Sequence, residues 1–174
     1  MNILIVVDMQ NDFVFGSLKN DYCKSIIPKM VNYLKTLDKD TKLVFTLDTH
    51  DESYLNSCEG KKLPIKHCIK GTKGHEIIEE LRCFSKDAIF IEKNFFSAGE
   101  TLLRDKLSKF NPEKITLVGT CTDICVISNA LAIKSVFPDS KIEVIENLCA
   151  GLDKEGHEAA ILSMKRCQIE VKNV

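Results

Sequence analysis

Short apolar runs rich in β-branched residues alternate along this chain with amphipathic helical patterns, and that alternation restricts it to a parallel α/β sheet. Strand candidates are 2–7, 42–47 (KLVFTL), 88–92 (AIFIE), 114–119 (KITLVG) and 141–146 (KIEVIE), with a weaker sixth at 168–171. Helical patterns cover 24–38, 99–110, 122–136 and 154–166; in the first, Ile26, Ile27, Met30, Leu34 and Leu37 share one face. Asn111-Pro112 and Pro138-Asp139 stop two of them. The expected fold is a three-layer α/β/α arrangement on one six-stranded parallel sheet of Rossmann-like order. At 174 residues, the chain reads as a single domain spanning 1–174.

Two runs end on reactive side chains. Ile3-Leu4-Ile5-Val6-Val7 stops at Asp8, and the run ending in Val118-Gly119 leads into Thr120-Cys121-Thr122-Asp123-Ile124-Cys125. Ligands of open α/β sheets bind at the carboxyl ends of the strands, so these two ends deliver a carboxylate and a thiol to one edge. Thr122 is a good N-cap, which places Cys125 in the first turn of the next helix. There the unpaired N–H groups and the helix dipole favour a thiolate and lower the thiol pKa, and the same N–H groups suit an oxyanion. Lys93 follows the strand at 88–92 and adds a cation to the same edge.

The charge balance is even, with a net charge of −1, and offers no electrostatic case for nucleic acid or an anionic membrane surface. The longest apolar runs are about five residues, against the ~20 needed to span a bilayer. No charged region with a long apolar core precedes Ile3, so no secretory signal is expected, and a cytoplasmic location follows. The eight cysteines form no CxxC pair and are scattered through a chain able to bury its own core. They read mostly as small buried hydrophobes rather than as a disulfide framework.

Residues 49–74 are the exception to the regular pattern: polar, glycine-containing and without period. An insert of this length in a compact domain is more often functional than accidental. Asp48-Thr49-His50 opens it and His67 follows, an Asp/His/His set that suits zinc, manganese or ferrous iron. His75 and His157 read as structural.

The segments VVDMQNDF, TLDTH, LPIKHCIKGTKGHEI, IEKNFFSAGE and VGTCTDICV, in this order over nearly the whole chain, resemble the isochorismatase-like cysteine hydrolases, and within them the nicotinamidase/pyrazinamidase group. The resemblance implies a catalytic triad of Asp8, Lys93 and Cys125. It implies an oxyanion hole at Cys121 and Cys125, with a non-proline cis peptide at Thr120-Cys121. It also implies one divalent metal ion, zinc before iron or manganese, on Asp48, His50 and His67, with Glu59 as the candidate fourth ligand. In that group the metal binds the pyridine nitrogen of the substrate. The implied activity is hydrolysis of nicotinamide to nicotinate and ammonia through a thioester; the alternatives are another small amide or ureido substrate, or a non-catalytic binding or redox protein. The group often places tryptophans beside the metal ligands, whereas this chain has none. Thr49 and Leu63-Pro64 stand in those places, so a wall for the substrate ring is either missing or supplied by Phe13, Phe95 or Phe96. The implied partner is a small carboxamide, and a homo-oligomer is compatible with the sequence.

Overall fold

The computed structural model describes residues Met1–Val174. In chain order the elements are β1 (Asn2–Val7), α1 (Asn11–Val14), α2 (Asp21–Ser25), α3 (Ile27–Lys35), β2 (Lys42–Asp48), α4 (Cys58–Lys62), α5 (Glu79–Arg82) and β3 (Ile89–Lys93). There follow α6 (Glu100–Leu107), β4 (Lys114–Thr120), α7 (Ile127–Val136), β5 (Lys141–Ala150), α8 (Lys154–Arg166) and β6 (Glu170–Lys172). All six strands pair in parallel in one sheet, ordered β3-β2-β1-β4-β5-β6. The six-stranded parallel sheet expected from the sequence is therefore the one present.

The period-two alternation of the strands sorts the core into two layers. Ile3, Ile5 and Val7 of β1 pack with Leu103 and Leu107 of α6, Ala130 and Ile133 of α7, and Ile161 and Met164 of α8. Leu4 and Val6 point the other way, onto Met30 and Leu34 of α3 and Leu81 of α5. A strand buried on both faces must be apolar throughout, which is why β1 reads ILIVV without interruption.

Element ends differ from expectation in a few places. The pattern at 24–38 becomes two helices, α2 and α3, meeting at Ile26. Pro28 in the first turn of α3 lacks the N–H that would continue one helix into the next. β5 runs on to Ala150, with a register shift against β4 between Leu117 and Gly119. β6 starts only at Glu170, after Gln168 takes a φ of 63°. Residues 49–74 hold a short 3₁₀ turn at Tyr54–Asn56 and the helix α4. Five cysteines are buried, while Cys58, Cys83 and Cys167 are exposed. No helix is long and apolar enough to cross a membrane.

The chain lays β1, β2 and β3 outward on one side, then returns to place β4 on the other side of β1. The strand order therefore reverses at β1/β4, and a crevice opens there beyond the carboxyl ends. Gly119 lets the two strands close up: its φ is 120°, and a Cβ there would lie 2.2 Å from Val7 O.

Candidate active site

Four strands deliver side chains to this crevice. Asp8 follows β1, Asp48 ends β2, Lys93 ends β3, and β4 leads through Thr120 to the turn carrying Cys125. The register aligns them, with Asp48 directly beside Lys93 in the β2/β3 ladder. All four side chains are buried, Asp8 completely.

Asp8 has a φ of 47°, unusual for a residue with a side chain, and is held there by β2. Its N–H lies 3.2 Å from both Thr46 O and Thr46 Oγ1, and Thr46 Oγ1 donates to Asp8 Oδ1 at 2.6 Å. Asp8 Oδ2 faces Lys93 Nζ at 2.7 Å as its ion-pair partner and has no well-aligned hydrogen-bond donor, so its remaining lone pairs are free for a proton. Burial raises the Asp8 carboxyl, with Lys93 pulling the other way. A raised carboxyl works better as a general base near neutral pH than an ordinary aspartate. Lys93 Nζ also lies 3.1 Å from Phe95 O and 3.6 Å from Cys125 Sγ. Burial disfavours the ammonium, but Asp8, Cys125 and Asp48 outweigh it and fix the cation.

The Cys125 thiol corrects the sequence reading. Burial first, and then the Asp8 carboxylate, hold it well above its ordinary value, and Lys93 opposes this only in part. Its local structure also differs. Thr122–Val126 form a single π-type turn ahead of α7, with Cys121 at the N-cap. Thr122 does not cap the turn through its side chain; its hydroxyl lies 2.9 Å from His157 Nδ1. The Thr120–Cys121 peptide is cis. Burial and the neighbouring Asp8 carboxylate thus both favour the neutral form of the Cys125 thiol.

The second cluster adjoins the first. Asp48, His50 and His67 bring one ligand atom each to within 4.8 Å of one another. Asp48 Oδ2 lies 3.1 Å from His50 Nε2 and 3.4 Å from His67 Nε2. His67 Nδ1 sits 2.8 Å from Ile65 O, the placement of an N–H donor, which leaves the Nε2 lone pair facing the cluster. Burial works against the Asp48 charge, yet His50, His67 and Lys93 together hold its carboxyl well below the carboxylate range. Two imidazole nitrogens and one anionic oxygen form a donor set that fits zinc. Tyr54 packs on both rings, 4.6 Å from that of His50 and 4.9 Å from that of His67. Glu59 stands outside the three-residue cluster; it lines the same cleft as His50, and its charge acts on His67.

Two segments remote in sequence hold this cluster in place. Gln10 is buried and spans Asp48, donating from Nε2 to Asp48 O at 2.9 Å and accepting from Asp48 N at 2.8 Å. Its Nε2 also reaches His75 O at 2.8 Å, while His75 Nε2 meets Thr49 Oγ1. Asp12 Oδ2 accepts from Cys68 N at 2.7 Å, which pins the residue after His67. Gly74 admits that carboxylate, since a Cβ there would lie 2.1 Å from Asp12 Oδ2. Sequence reasoning missed Gln10 and Asp12, because nothing in spacing separates a buried amide from a solvated one.

A cleft of about 930 Å³ opens over the site, lined by His50, Tyr54, Lys93, Phe95, Phe96 and Ile124 among others. Phe95 and Phe96 are 70% and 50% exposed, so both rings are available at its mouth. Phe13 is not among the residues lining this cleft; its ring lies 5.8 Å from that of His67.

Residues 2–173 match the isochorismatase domain. The chain belongs to the isochorismatase family. This isochorismatase family hydrolase is 30% identical over 169 residues to an uncharacterised isochorismatase family protein of Bacillus subtilis, covering 91% of each chain. It is 25% identical over 184 residues to the nicotinamidase/pyrazinamidase of Mycobacterium tuberculosis, covering 98% of each. Its fold matches that of the pyrazinamidase of Pyrococcus horikoshii, solved in complex with zinc, with a TM-score of 0.85, 27% identity and 99% of both chains covered.

Proposed function

We propose that this hydrolase is a cysteine amidase that converts nicotinamide to nicotinate and ammonia, with residues 1–174 as one domain and 49–74 as its metal-site insert. The observation that carries the reading is the position of Lys93 Nζ, 2.7 Å from Asp8 Oδ2, 3.6 Å from Cys125 Sγ and 3.2 Å from Asp48 Oδ1. One ammonium joins a base, a nucleophile and a metal-type cluster, a combination that a binding or redox protein does not need.

In this mechanism Asp8 takes the Cys125 proton as the sulfur attacks the carboxamide carbon. The N–H groups of Cys121 and Cys125 meet the developing oxyanion. Asp8 then passes the proton to the leaving nitrogen, and ammonia departs from a thioester. Water, deprotonated by Asp8, cleaves that thioester to give the carboxylic acid and the free thiol. Lys93 keeps the Asp8 carboxylate ionised between steps and opposes the repulsion between it and a thiolate. Asp48, His50 and His67 would hold zinc, with Glu59 as a further ligand. The bound ion would supply a Lewis acid that anchors a ring nitrogen. Phe13, Phe95 and Phe96 wall the ring in place of the tryptophans the chain lacks.

The test is ammonia release from nicotinamide, pyrazinamide, benzamide and an aliphatic amide. Preference for the two ring-nitrogen amides is expected. Equal turnover of all four, or none of any, overturns the substrate assignment.

A further inference from the structure

The loop 94–99 carries Phe95 and Phe96, yet little of its position is set by burying those rings, which are 70% and 50% exposed. Its placement rests instead on backbone groups held from other elements. Lys93 Nζ donates to Phe95 O at 3.1 Å. Ala98 packs against the core and Gly99 O accepts from Leu103 N of α6; the other side-chain bonds to the loop from another element come from Asn129 of α7, which is fully buried. Its Nδ2 donates to Phe96 O at 3.1 Å, and its Oδ1 accepts from Ala98 N at 3.0 Å. The same Nδ2 donates to Cys125 O at 2.7 Å.

That set of partners uses both amide donors and one of the two acceptor positions of the amide oxygen. Two donors and one acceptor are needed, and of the small side chains only asparagine offers both. A buried amide with three bonds made is held firmly, whereas losing one partner leaves the others costly to keep buried. The aromatic loop and the nucleophile's own carbonyl therefore share one rigid anchor. No hydrogen bond of the Asn129 side chain reaches the metal cluster or the thiol itself.

We infer that Asn129 is a positioning residue that sets the aromatic wall of the cleft in register with Cys125, and so fixes how tightly a substrate ring is held. The inference rests on the reading of Cys125 as the nucleophile. Its action is on ring binding rather than on the chemical step, because Asp8 is held by Thr46, and Lys93, though it also donates to Phe95 O, is fixed by two carboxylates that Asn129 does not touch.

The test is Asn129→Ser. A serine hydroxyl on a helix bonds the carbonyl four residues back, so the contact with Cys125 O is kept while the loop is beyond reach. The expected result is a KM for nicotinamide raised about tenfold with kcat within about threefold of wild type. Amide exchange in a peptide spanning 94–99 should quicken about tenfold or more, since Ala98 N–H loses its acceptor. Ser128→Ala, which removes a hydroxyl bonded only to Ile124 O, serves as control and should change neither quantity. Unchanged exchange, or a fall in kcat with KM unmoved, overturns the inference. Should the serine variant not fold, Asn129→Thr restores side-chain volume and is read by the same criteria. Failure of the wild-type protein to hydrolyse nicotinamide counts against the proposed function, and the exchange measurement then decides the role of Asn129 by itself.

Discussion

Lys93 holds Asp48 through a 3.2 Å ion pair between Nζ and Oδ1, while the other oxygen of Asp48 turns to His50 and His67. Because Lys93 also pairs with Asp8, the proposed catalytic group and the proposed metal site share a single carboxylate–ammonium–carboxylate chain.

Replacing the nucleophile is the most direct check. Cys125→Ala should lower turnover by roughly ten-thousand-fold or more while leaving the fold intact. Cys121→Ala should be far milder, since the mechanism asks only for its backbone N–H. Near-wild-type hydrolysis by Cys125→Ala, measured with the fold verified by circular dichroism, would rule out covalent catalysis.

Asp8→Asn and Lys93→Ala should each cost about a thousandfold in kcat, and the double variant little more, as for residues that act as a unit. Thiol reactivity should split the two. The Asp8 carboxylate holds the Cys125 thiol up and Lys93 holds it down. Iodoacetamide should therefore alkylate Cys125 faster in Asp8→Asn and more slowly in Lys93→Ala, with the midpoint of the pH profile moving down and up respectively. Shifts of the same sign in both variants would contradict this electrostatic arrangement.

How far the sequence reached is clearest at these residues. The apolar runs announced four of the strands that matter, and the reactive side chains stood where the runs ended. Cys125 was visible as a thiol after a strand, but its environment was not. A helix-start pattern suggests a lowered thiol, whereas burial beside Asp8 raises it, and burial depends on strands far away in the chain. Gln10 and Asn129 were invisible for a related reason. Each satisfies backbone groups of segments that only the sheet brings near, and sequence spacing carries no trace of that.

The metal cluster predicts a ligand-specific defect. Protein prepared without chelator should contain one divalent ion per chain by elemental analysis. His50→Ala should raise the KM for nicotinamide about 100-fold, equivalent to about 2.8 kcal/mol. Benzamide, which has no ring nitrogen, should be affected much less. Stoichiometric absence of metal together with unaltered nicotinamide kinetics in His50→Ala would remove the nicotinamidase reading.

Acid stability should trace to Glu143, a buried carboxylate on β5. It accepts from Thr116 Oγ1 at 2.7 Å and pairs with Lys172 Nζ of β6 at 2.8 Å. Burial raises its carboxyl, but these partners and Lys114 outweigh it and leave the pKa below the ordinary 4.5. The unfolded chain then binds the proton more tightly than the folded one. Stability from this group is complete above about pH 4.5 and is lost as the pH falls through the lower folded value. Glu143→Gln should cost about 1–3 kcal/mol at neutral pH and flatten that acid limb in urea unfolding. An acid limb identical to wild type would assign the loss to other carboxylates.

Because Asp8, Asp48, Lys93 and Cys125 arrive from four different strands, no short stretch of the chain contains the site. Its residues meet only after distant segments have paired in register, and such long-range pairing is slow to form. In refolding, the recovery of turnover should therefore lag behind the recovery of helical signal. A protease nick in any crossover connection that frees one strand should silence the enzyme at once rather than weaken it by degrees.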